Sequence, residues 1–163
     1  MVMKKFLSAA AIVVALNGTA QAQDYNKGLA AYQAGDYATA LQEWRPLAEL
    51  GNASAQSNLG FMYHVGRGVP QDFPEAVSWY RLAAEQGDAA AQVNLGVMYK
   101  HGHGVPQDFV VAHMWSNIAS ANGLEGAPEF RDRAAQRLTP QNITTAQAMA
   151  RECMSSNYQN CGY

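Results

Sequence analysis

One block of sequence occurs twice in this 163-residue chain. Asn58-Leu59-Gly60-Phe61-Met62-Tyr63, followed by Gly66-Arg67-Gly68-Val69-Pro70-Gln71-Asp72, returns as Asn94-Leu95-Gly96-Val97-Met98-Tyr99 and Gly102-His103-Gly104-Val105-Pro106-Gln107-Asp108. From Leu59 to Leu95, Gly68 to Gly104 and Asp72 to Asp108 the offset is always 36 residues. A fixed period of this length means repeated supersecondary units. No unit can bury its own apolar face, so a core forms only when neighbours stack. Abundant Ala and Gly, with few β-branched residues, favour closely packed helices over sheet.

Each unit reads as two helices. In the first, Tyr25 to Tyr32 has helical spacing, Gly35 ends the helix and Asp36 caps the next. Tyr37, Ala40, Leu41, Trp44, Leu47 and Ala48 then form one apolar stripe. Pro46 lies inside that stripe and predicts a bend, not a break. In the second unit a helix runs from Ala53 to about His64 and ends in the Gly66–Gln71 loop, where Pro70 holds Val69 extended. Asp72 and Glu75 have capping-box spacing before Ala76, Val77, Trp79, Tyr80, Ala83 and Ala84. The third unit repeats this from Ala89 to Gly123, but Val111 replaces the box glutamate, which predicts a weaker cap at Asp108. Beyond it, helices over Pro128–Leu138 and Pro140–Ser155 read as an atypical closing unit, with Thr139 as the N-cap of the last.

The start of the chain reads as an export signal over residues 1–22. Lys4 and Lys5 precede an apolar run, Phe6–Leu16, that is short for a bilayer span, and Ala20-Gln21-Ala22 has the small-residue form of a cleavage site. Cleavage after Ala22 removes two of the 11 basic residues and leaves 9 against 13 acidic, a formal charge of −4. Nothing here resembles the basic footprint of a nucleic-acid binder, and no second stretch suits a membrane span. Two cysteines, Cys153 and Cys161, in an exported chain favour a disulfide over a redox or metal motif.

The residues that recur identify a resemblance. Ala53, Ala55, Gln56, Leu59, Gly60, Met62, Tyr63, Gly66, Gly68, Val69, Pro70, Asp72, Ala76, Trp79, Tyr80, Ala83, Ala84 and Gly87 follow the pattern of Sel1-like repeats. The copy at 89–123 does so nearly as well, with Ser116 in place of Tyr80 and Ser120 in place of Ala84. Gly28, Gly35-Asp36-Tyr37 and Ala40 resemble the related tetratricopeptide repeat, with an inter-helix loop four residues shorter than the Sel1 form. The resemblance implies an all-α, right-handed solenoid of stacked antiparallel helix pairs, about eight helices after the signal. Its expected units are 24–51, 53–87, 89–123 and a capping segment 125–163. Cys153 and Cys161 are similar to the pairs of secreted cysteine-rich Sel1-type proteins, which carry a pair in every repeat where this chain has one.

By the same resemblance the first helix of each unit lines the concave wall. Asn26, Asn58 and Asn94 stand two residues before its glycine, where an amide can bond a peptide backbone or tie one repeat to the next. Phe61 and Val97, with His64 and Lys100 three residues on, form an apolar-plus-polar stripe that suits a protein or peptide partner. A half-buried helix face is the other reading. His101, His103 and His113 suggest a metal site, but the first two match Val65 and Arg67 of the earlier copy and no carboxylate or Cys completes the set. Asp72 and Asp108 read as caps rather than catalytic carboxylates, because they hold identical repeat positions. Arg131, Arg133, Arg137 and Arg151 make a modest basic end that fits an acidic partner, a membrane surface or a solvated helix face. The expected function is a non-catalytic protein-interaction module without cofactor or metal, in the periplasm or outside the cell. The alternatives are a secreted enzyme acting on β-lactams, for which the chain lacks a Ser-x-x-Lys motif set, and a structural stabiliser of an envelope complex.

Overall fold

The computed structural model describes residues 25–162. The expected export signal lies outside the described residues. Within them the chain is helical, with no strand: α1 (25–33), α2 (Tyr37–Glu49), α3 (Ala53–Val65), α4 (Phe73–Ala84), α5 (Ala89–His101), α6 (Phe109–Ala121), α7 (Ala127–Ala135) and α8 (Pro140–Ser155).

Side-chain caps set most helix starts. Asp36, Asn52, Asp72, Asp88 and Thr139 each accept a backbone N–H three residues on, at 2.8–3.2 Å. The cap at Asp108 is not the poorer one expected. Its carboxylate accepts from both Val110 and Val111, at 2.8 and 3.0 Å. Nor does Glu75 close a capping box; its carboxylate accepts the Trp79 indole N–H at 2.9 Å. The backbone N–H groups of Asp72 and Asp108 instead donate to the carbonyls of Tyr63 and Tyr99. Neither cap therefore needs a reciprocal glutamate. Helix α2 continues past Pro46 to Glu49. Helix α7 is shorter than its expected span and has no side-chain cap.

Consecutive helices pack from α2 through α7. In addition α3 touches α5 and α5 touches α7, whereas α2, α4 and α6 have no comparable contact among themselves. The row α3–α5–α7 is therefore the more closely spaced side of the stack, hereafter the inner row. The end departs from the pairing: α7 and α8 both pack on α6 and make no comparable contact with each other. Closed in from several sides, α6 buries Met114, Trp115 and Ile118 completely.

Contacts between repeats also recur at the 36-residue offset. The Arg45 guanidinium donates to the Tyr63 hydroxyl at 3.1 Å, and Arg81 to Tyr99 at 3.0 Å. Gln56 and Gln92, both buried, donate to the last carbonyls of the preceding helix, Ala48 and Ala84, at 3.0 and 3.1 Å. Their own amide oxygens accept from Gln86 and Asn122, at 2.7 and 2.9 Å. Each buried glutamine thus satisfies its own amide by joining two helix ends. Loops stack as well. Gly104 has φ +71°, and a Cβ there would lie 2.5 Å from the Phe73 carbonyl carbon, so both conformation and space demand glycine.

A disulfide joins Cys153 and Cys161, both buried, with Cα atoms 4.3 Å apart. It holds a tail whose Tyr158 hydroxyl shares hydrogen bonds with Asn122 at 3.0–3.1 Å. Tyr158 also lies over Gly87. The tail thereby closes the relay that Gln92 begins.

Candidate functional site

The groove residues expected from sequence stand mainly on α3 and α5, the inner row, with Asn26 on α1. Asn26 is exposed, and Asn58 and Asn94 are half-buried. The Asn58 amide donates to the Tyr25 hydroxyl at 3.1 Å, so it ties its unit back to the preceding one. Phe61 is 36% exposed, large for a packed phenylalanine, and meets the Tyr32 ring edge-on at 6.4 Å. Arg67 donates to the Tyr32 hydroxyl at 2.6 Å and lies over the Tyr37 ring. Val97 is half-buried beside Val93 and Ala119. Lys100 is half-buried at the end of α5.

His64 is less available than its place in the stripe implies. Its Nδ1 lies 3.4 Å from the Tyr80 hydroxyl, and its ring packs against Phe73 and His103. Its pKa lies below the ordinary histidine value, chiefly through burial and then through His103 and His101. His101 is also lowered, by burial first and then by Lys100 and His103. His113 lies elsewhere. Buried on α6, it has its pKa lowered by burial, with Arg131 opposing its charge and Asp132 favouring it. The imidazoles that approach one another are His64, His101 and His103. Among the described residues no three His, Cys, Asp or Glu side chains are grouped to hold a metal ion.

Some residues escaped the sequence reading. The relay Gln56–Gln86 and Gln92–Asn122 and the Arg–Tyr links were marked by recurrence, since Gln56 and Gln92, Arg45 and Arg81, and Tyr63 and Tyr99 each repeat at the offset. Recurrence signals a role in stacking without saying what each side chain bonds. The same logic singles out Phe61/Val97, His64/Lys100 and Val65/His101, where the second copy changes the residue and the stack persists.

Comparison with known proteins agrees with this geometry. The family profile of the Sel1 repeat matches residues 53–88 and 89–124. No curated protein matches the chain. Two of the similar solved structures illustrate the likeness. One is a protective antigen present in uropathogenic Escherichia coli strains and displaying an SLR fold, 31% identical, with a TM-score of 0.80 over 86% of this chain. This chain spans 31% of that protein's length. The other is a Sel1 repeat protein from Oxalobacter formigenes, 34% identical, with a TM-score of 0.63 over 74% of this chain and 97% of that one. With two repeats matched in sequence and nearly the whole of that relative covered, this chain belongs to the Sel1 repeat family.

Proposed function

We propose that the chain is a non-catalytic interaction module that holds a protein or peptide partner along its inner row, in the cell envelope or outside the cell. Sel1 repeat proteins are typically protein-interaction modules, and the fold is generally a scaffold rather than an enzyme. The observation that carries the reading is the division of labour within α3 and α5. Leu59, Met62, Leu95 and Met98 are wholly buried and build the stack. Phe61 and Val97 interleave with them at the offset, yet Phe61 remains partly exposed. An apolar surface that the core does not consume, flanked by polar side chains, is where a partner gains most from burial. The extracytoplasmic location is supported by the disulfide and by the signal-like start of the sequence. No described helix is long and apolar enough to cross a membrane.

The test is site-specific photo-crosslinking in envelope extracts, with the probe at position 61, 97 or, on α4, 82. One partner band shared by 61 and 97, absent at 82 and weakened by Asn58→Ala, is the expected result. Equal labelling from all three positions would refute the inner-row assignment.

A further inference from the structure

Phe109 begins α6 in the place that Phe73 holds at the start of α4. Phe73 is covered by the loop of the next repeat, with His103 stacked on its ring at 4.4 Å and 9°. After α6 no further Gly/Pro loop of this kind follows, and Phe109 is met instead by the Arg137 guanidinium at 5.2 Å. Beside it lies an open cavity of about 450 Å³, whose walls include Lys100, His101, Phe109, Arg133 and Arg137. Among the described residues no carboxylate lines it.

The stack does not require this charge. Lys100 and His101 stand where the earlier copy has His64 and Val65. Arg133 and Arg137 come from α7 and the turn beyond it, where the repeat pattern has ended. Arg133 pairs with Glu129 at 2.6 Å and lies over the Phe130 ring, but the Arg133 and Glu129 side chains are mostly in water, so the pair is weak and the guanidinium keeps further N–H donors. In a chain of formal charge −2, three cationic side chains, Lys100, Arg133 and Arg137, around one recess form a local positive field.

We propose that this recess receives an acidic peptide segment, with neighbouring carboxylates held by Lys100, Arg133 and Arg137 and an apolar side chain laid against Phe109. The proposal rests on the interaction-module reading and names the partner's chemistry. Planar guanidinium groups match carboxylates in two-point hydrogen bonds, and Phe109 offers an apolar contact between them. A concave recess with an aromatic wall fits a peptide better than the flat surface of an anionic bilayer. Docked carboxylates would also favour protonated His101, so affinity should rise as pH falls through the histidine range.

Fluorescence anisotropy on the purified chain tests this with a labelled peptide of alternating Asp and Leu, and with its Asn-for-Asp counterpart. The acidic peptide should bind at least about tenfold more tightly, and the preference should shrink as salt screens the charges. Arg133→Gln with Arg137→Gln should remove most of the preference at an unchanged melting temperature. Lys100→Gln, on a different helix, should weaken it independently. Equal binding of the two peptides, or acidic binding indifferent to all three substitutions, would overturn the proposal. Binding to phosphatidylglycerol vesicles but not to the acidic peptide would overturn it in favour of a lipid surface. Crosslinking from positions 61 and 97 that persists in the charge variants, with no acidic preference, would sink this inference while leaving the interaction module standing.

Discussion

The inner-row glycines allow the stacking to be tested by a single methyl group. At Gly60 an added Cβ would sit 2.7 and 2.8 Å from Cδ1 and Cε1 of Tyr80. Tyr80 is fully buried, so its ring has no room to retreat and the two helices must part. Overpacking of this kind costs about 1–3 kcal/mol. Alanine recovers roughly 1 kcal/mol of helix propensity, which leaves a net loss of up to about 2 kcal/mol, near the upper end because the contacts are this short. At Gly96, one offset later, Ser116 stands where Tyr80 stood. The nearest atoms to a Cβ are Ser116 Oγ at 3.0 Å and the Ala112 carbonyl oxygen at 3.1 Å. A shift of a few tenths of an ångström suffices, and the propensity gain offsets most of it. Gly60→Ala should therefore lower the thermal midpoint by several degrees, at roughly 4 °C per kcal/mol, while Gly96→Ala leaves it nearly unchanged. Chemical denaturation followed by circular dichroism measures both. Equal losses at the two positions would show that the cost lies in the glycine's own helix and not in the aromatic ring opposite.

Gln92→Ala should cost about 1–2 kcal/mol in the same denaturation experiment, because it removes two hydrogen bonds of a buried side chain, while the Ala84 carbonyl keeps the Gly87 N–H and the Asn122 amide keeps Tyr158. Stability should also depend on pH. His64, His101 and His113 titrate below the unfolded value of about 6.5, so the unfolded chain takes up protons first as pH falls. The folded state should keep its full stability above about pH 6.5, lose it progressively below, and level off under the folded pKa values; His113→Phe should flatten that decline. Reducing the disulfide should destabilise the chain by about 2.5 kcal/mol on loop-entropy grounds. It should also speed hydrogen exchange at Tyr158, whose N–H donates to Cys153 O at 2.8 Å.

Much of this molecule was legible because its sequence repeats. The period dictated stacked helical units, since the apolar face of one unit needs the next to cover it. Helix starts at Asp36, Asp72, Asp108 and Thr139 were readable because capping is local, needing only an acceptor and N–H groups two or three residues away. The pairing of Cys153 with Cys161 was legible for a related reason, with two thiols eight residues apart near the end of a helix. Tertiary structure decided the rest. The Asp72 N–H went to the Tyr63 carbonyl and not to Glu75, and His64, rather than His113, joined His101 and His103, because those choices depend on which neighbour a packed helix or loop brings near. Asn58 turned back to Tyr25 for the same reason. The basic recess beside Phe109 is the clearest case. Its charges come from α5, α7 and the turn after it, and it stays open because no further repeat loop covers Phe109 as His103 covers Phe73. Sequence alone thus determined the repeating unit, whose interactions are local or periodic. Where the repetition stops, three-dimensional packing decided which side chains meet.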